Sequence, residues 1–76
     1  MFDRIVSDPG VLGGKPHVRG TRISVEFILE LVASGASRDD IVAAYPHLSA
    51  ADVEDAIRYA ARFLTNEILI EARAAA

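Results

Sequence analysis

The sequence predicts a mainly α protein, in which a short N-terminal β-strand and hairpin precede a three-helix helix-turn-helix bundle. Three observations carry this expectation. Apolar residues recur at helical spacing in three separate stretches. A serine stands at the head of each stretch, where a capping side chain belongs. The first 24 residues hold glycine-rich turns and short extended runs instead.

Taken in order, Arg4-Ile5-Val6 reads as a short strand stopped by the turn signal Ser7-Asp8-Pro9-Gly10. Val11 and Leu12 are apolar anchors ahead of Gly13-Gly14. Pro16-His17-Val18-Arg19 and Arg22-Ile23 form the arms of a small hairpin around Gly20-Thr21, with Gly20 supplying a positive φ at the tip. Ser24 caps a first helix over roughly 25–34, where Val25, Ile28, Leu29 and Val32 make one buried stripe. Phe27 and Leu31 widen that stripe, which places this helix at the centre of the bundle. Gly35 stands where a left-handed terminator belongs.

Ser37 opens a second helix over 38–45, with Asp39 and Asp40 near its positive end. Ile41, Val42 and Tyr45 turn inward and Pro46 ends the helix. His47-Leu48 form a tight connection. Ser49 then caps the third helix, with Asp52 three residues on, close to a capping box. Val53, Ile57, Ala60 or Ala61, Leu64 and Ile68 keep helical spacing for about four turns; the alanines from Ala72 to Ala76 are expected to fray. The chain therefore reads as a single helix-turn-helix domain over 1–76, divided into strand and basic hairpin (1–24), three-helix core (25–64) and C-terminal helix extension (65–76).

Size sets a further expectation. A chain of 76 residues buries only about 60% of the surface its unfolded form exposes, and without cysteine no disulfide can compensate. Association is the remaining usual source of stability. Hydrophobic residues make up 51% of the chain and mean hydropathy is +0.25, so part of the apolar surface is expected to face another chain in a homodimer. No signal-type run and no membrane-length apolar stretch is present, which makes the cytoplasm the expected compartment, with no membrane partner. The net charge of −3 is unevenly spread: residues 1–22 carry +2, residues 23–57 carry −6 and residues 58–76 carry +1. The basic part is the N-terminal loop.

Gly14-Lys15-Pro16 followed by Arg19-Gly20-Thr21-Arg22-Ile23 resembles the core motif of the bacterial domain-of-unknown-function family four hundred and thirty-three. Gly35, Ile41, Tyr45-Pro46 and Leu48 match further positions of that pattern, as does the helix Ala56-Ile57-Arg58-Tyr59-Ala60. The likeness runs from about Ile5 to Ala61; His17 departs from the aliphatic residue it leads us to expect. The resemblance implies a helix-turn-helix fold and an antitoxin of the VapB type, paired with a PIN-like ribonuclease toxin.

Residue roles follow from chemistry. Lys15, Arg19 and Arg22 lie on a glycine-rich loop that lets backbone approach phosphates, and guanidinium groups suit bidentate contacts to phosphate or guanine. The competing reading ties Arg19 or Arg22 to the acidic helices, for example to Glu26 or Glu30. A conventional recognition helix would be the third, yet its first turns carry Asp52, Glu54 and Asp55 and no base before Arg58. Those carboxylates oppose counterion release. Capping accounts for Asp52, and Glu54 with Arg58 suits an i, i+4 pair. The DNA-binding candidates are therefore Lys15, Arg19, Arg22 and Arg58. Arg62 is a further residue that could touch a backbone from the helix middle.

No catalytic or metal site is expected. Gly13-Gly14-Lys15 lacks the pattern of a phosphate-binding loop, and His17 and His47 have no second ligand at helical spacing. No cofactor is expected. The C-terminal stretch is different: Phe63, Leu64, Ile68, Leu69 and Ile70 spread over more than one helix face, and Arg73 follows them. They are the partner-binding candidates, for a second copy or for a groove on a toxin, where Arg73 or Arg62 could reach into an acidic metal site.

The function these readings predict is that of a type II antitoxin. It would cover a PIN-like ribonuclease by direct binding and, as a dimer, bind its own operator DNA. A stand-alone helix-turn-helix DNA-binding regulator is the alternative, followed by a protein-only dimeric adaptor.

Overall fold

The computed structural model describes residues 3–63, and of Phe63 the backbone alone. Strand β1 is Ile5–Val6, strand β2 is His17–Val18, and three helices follow: α1 Val25–Ala33, α2 Arg38–Ala44 and α3 Ala50–Phe63. The architecture is the predicted mainly α one, with a small antiparallel pair of strands ahead of three helices.

β1 and β2 pair with Ile5 opposite Val18 and Val6 opposite His17. Two residues a side make no stable ribbon alone. The pair is held because Ile5 and Val18 are both buried in the helical core. On its other side β2 makes only a single bridge, His17 with Ser24, plus a bond from the Val18 N–H to the Ile23 carbonyl at 3.0 Å. The expected hairpin is thus a closed loop, and the main ladder runs to β1.

The tip also shifts by one residue. The Thr21 N–H donates to the Val18 carbonyl at 3.0 Å, which centres the turn on Arg19-Gly20. Gly20 has φ +79° at the second central position, where the left-handed region is required. Thr21 closes the loop instead: its hydroxyl donates to the Val18 carbonyl at 2.8 Å and accepts from the Ile23 N–H at 3.0 Å.

All three serines cap as expected. The Ser24 hydroxyl accepts from the Phe27 N–H at 3.0 Å. Ser37 and Asp40 form a complete box, each side chain accepting from the other's backbone at 3.0 and 2.9 Å. Ser49 and Asp52 do the same at 2.9 and 3.1 Å. At the other end of α1 the Ala36 N–H reaches the Leu31 carbonyl and the Gly35 N–H the Val32 carbonyl, both at 3.0 Å. With Gly35 at φ +101° this is a full Schellman motif. Pro46 follows the end of α2, and the Leu48 N–H closes a turn onto the Tyr45 carbonyl at 2.9 Å, which delivers Leu48 into the core.

Ile5, Val18, Val25, Ile28, Ile41, Leu48, Val53, Ala56 and Ala60 form one buried cluster drawn from every element. α3 packs against α1, α2, β1 and β2, so α3 is the central helix and not α1. The reason lies in Ala56 and Ala60, small residues one turn apart that allow close approach. Ala56 takes the place expected of Ile57, which is 38% exposed. Val32 is exposed as well, in the last turn of α1, where a helix has fewer neighbours. Phe27 packs edge-on against Tyr45, ring centroids 5.6 Å apart, and so joins α1 to the end of α2.

Candidate functional site

The front of α3 is where a recognition helix would meet bases, and its charges are already engaged. Arg4, just ahead of β1, reaches Asp52 at 3.4 Å and Asp55 at 3.6 Å. Arg38 of α2 pairs with Glu54 and with its neighbour Asp39. Arg58 takes Glu54 at 3.8 Å, the predicted i, i+4 pair, and Asp55 at 3.4 Å. Each acid in the first turns of α3 therefore answers an arginine of another element, of its own helix, or both. Exposed pairs of this kind contribute about 0–1 kcal/mol each, so their main effect is geometric. They clamp β1 and α2 onto α3.

The ionisation of Asp40 is shifted. The backbone N–H of Ser37, and then its hydroxyl, hold the Asp40 carboxyl below the ordinary aspartate range.

The four DNA-binding candidates separate into two kinds. Lys15 pairs with Glu26 at 3.1 Å, and Arg58 is held on its own helix. Arg19 and Arg22 are exposed and make no ion pair among the described residues. The tether expected of Arg19 or Arg22 is made by Lys15. The three loop cations also line three different depressions. Lys15 borders the space between α1 and α3, Arg22 the cleft beside His17 and Pro9, and Arg19 a hollow with Arg4, Asp52 and Asp55. Arg62 is exposed.

The backbone of this loop is unusual. Leu12, Gly13 and Gly14 have φ of +53°, +65° and +89° in succession. The glycines adopt this freely, whereas a bulky residue there is a genuine outlier. The sequence offered Gly13-Gly14 as turn geometry, and that is their role. His17 is buried, and its Nδ1 donates to the Lys15 carbonyl at 3.1 Å, which gives the ring a place where an aliphatic residue was expected. Among the described residues no three His, Asp or Glu side chains gather to hold a metal, and no helix is long and apolar enough to cross a membrane.

One feature was missed in the sequence. Between α1 and α3 lies an open groove of about 530 Å³, walled by Pro16, Val25, Leu29, Ala33, Tyr59 and Ala60, with Lys15, Glu26 and Glu30 at its rim. The signal was available in the breadth of apolar surface on α1, wider than one buried stripe requires. The partner-binding candidates Phe63, Leu64, Ile68, Leu69, Ile70 and Arg73 lie outside the described residues, save for the backbone of Phe63.

Comparison with known proteins gives the chain its relatives. A protein from Sinorhizobium fredii described as "Uncharacterized protein y4eO" is 41% identical over 56 residues, which cover 74% of this chain and 25% of the relative. The chain thus spans about a quarter of that relative's length. The crystal structure of a DUF433 member protein from Anabaena variabilis superposes with a TM-score of 0.75 at 33% identity, covering 96% of this chain and 69% of that one. A family model described as "Protein of unknown function (DUF433)" matches residues 5–60, most of the chain, and the protein therefore belongs to the DUF433 family.

Proposed function

We propose that this chain is the antitoxin of a type II toxin–antitoxin pair, acting on a PIN-like ribonuclease by occlusion and on its own promoter as a dimer. The observation that carries the reading is the open apolar groove between α1 and α3. In the sequence, a further apolar stretch, Leu64 with Ile68, Leu69 and Ile70, follows α3. A helix front whose acids all answer arginines leaves protein association as the work the surface suits best. DNA contact falls to Arg19 and Arg22, and α3 does not enter the major groove. Lys15 and Arg58 join only by exchanging their carboxylates for phosphate.

The test is co-expression with the product of the adjacent reading frame. The expected result is a stable complex in which RNA cleavage by that product is suppressed at equimolar ratio. A ribonuclease that stays active, with no complex on co-purification, overturns the antitoxin reading. One observation favours a second reading, the stand-alone regulator: Arg19 and Arg22 are exposed and unpaired among the described residues. Specific promoter binding in a chain with no toxin partner would establish it.

A further inference from the structure

We propose that the cleft between the end of β1 and the Gly20 turn is a seat for hydrogen phosphate, recognised by one cation and two hydrogen-bond acceptors. The site goes beyond the antitoxin reading and shares only Arg22 with the proposed DNA surface. The cleft measures about 610 Å³, and Asp8, His17 and Arg22 all line it.

His17 is the residue that points to a ligand. It is only 4% exposed. The Lys15 carbonyl can only accept, so the Nδ1 facing it at 3.1 Å carries the proton of the neutral ring, and Nε2 is left as an acceptor. Nε2 has no hydrogen-bond partner among the described residues, yet it is not sealed from solvent. It opens on the cleft that the ring lines. Asp8 supplies the second acceptor. Its Oδ1 accepts from the Gly10 N–H at 2.8 Å, which fixes the carboxylate, and its Oδ2 has no partner among the described residues. Arg22 makes no ion pair among the described residues, even with Asp8. The two hydrogen bonds of the Thr21 hydroxyl hold the loop that carries it.

A guanidinium takes two oxygens of a phosphate at once. Two acceptors in the same cleft call for a ligand that also brings a proton. Hydrogen phosphate has both parts, anionic oxygens for Arg22 and a P–O–H donor throughout the neutral range. Sulfate has no proton there and would set bare oxygens against the lone pairs of Nε2 and Asp8, with repulsion from the carboxylate. A phosphodiester carries no proton either, so the DNA backbone is not the occupant. Val6, Pro9 and Val11 add apolar walls, which strengthen each charged contact.

The chain has two histidines, which makes the test direct. His47 lies in the connection between α2 and α3, outside the cleft, and serves as the internal reference. Imidazole proton–carbon spectra of the full chain are titrated at about pH 7.5, where an ordinary imidazole is neutral. Phosphate, sulfate and phenyl phosphate are compared at matched ionic strength. Phosphate is expected to move the His17 resonance saturably and leave His47 still. Sulfate, and phenyl phosphate, which has lost its last proton at this pH, are expected to bind about tenfold more weakly or less. Arg22→Ala, at an exposed position, weakens phosphate binding by about tenfold or more. Asp8→Asn, which keeps an acceptor for the Gly10 N–H, narrows the preference over sulfate. Equal binding of sulfate or phenyl phosphate, no saturable shift of His17, or an affinity indifferent to Arg22→Ala overturns the proposal. So does a preference that Asp8→Asn leaves unchanged. Neither DNA nor toxin enters these measurements, so their failure leaves the antitoxin reading standing, and an uninhibited ribonuclease leaves the phosphate site standing.

Discussion

The corner formed by α2 and α3 and the loop from Leu12 to Arg22 both concentrate charge, and they use it in opposite ways. In the corner, two capping boxes and a set of ion pairs give Asp40, Asp52, Glu54 and Asp55 partners. In the loop the backbone is ordered by hydrogen bonds and left-handed turns, while Arg19 and Arg22 carry their charge into solvent. Charge that is satisfied inside the fold belongs to architecture; charge left exposed is available to a partner. A count of charges along the chain cannot tell these apart.

Substitutions can break the contrast, and the largest effect is expected in the corner. Ile41→Ala removes a buried anchor of α2 and should cost about 2–5 kcal/mol, read as a fall in the denaturant midpoint. Gly20→Ala probes the loop's backbone. With φ at +79° a side chain is strained although space is open, and a loss of about 1–2 kcal/mol is expected. Ser37→Ala and Ser49→Ala each remove a cap and should cost about 1 kcal/mol.

The double variant Arg19→Ala, Arg22→Ala sharpens the comparison from the other side. Stability should stay within about 0.5 kcal/mol; if the chain binds its promoter as proposed, affinity falls and the salt slope drops by about one for each phosphate no longer neutralised. Unchanged affinity in the folded double variant removes the loop from the DNA surface. The smallest effect is on acid stability. Because Asp40 is held below its unfolded range, it stabilises the folded state above that range and the contribution is lost as pH falls through the lowered value. Asp40→Asn should therefore show a shallower decline in unfolding temperature between neutral pH and about pH 3.

Local chemistry made much of this fold legible in the sequence. Serine caps, the terminator Gly35 and the break at Pro46 each act within a few residues, and the three helix starts follow from them. What escaped depends on tertiary phase. Whether Ala56 or Ile57 faces inward turns on which wall α1 presents, and spacing alone admits both. Arg4 lies 48 residues from Asp52, and no local pattern announces that pair. The groove was hidden for the same reason, since its two walls meet only in the folded chain.

Under the proposed function, the acidic front of α3 serves architecture and the exposed arginines Arg19 and Arg22 meet the DNA. Amide chemical-shift mapping of the full chain titrated with its promoter duplex tests it most directly. Perturbations are expected at Arg19 to Arg22, with little change at Asp52, Glu54 and Asp55. Perturbations concentrated on the first turns of α3, with the loop silent, would contradict it.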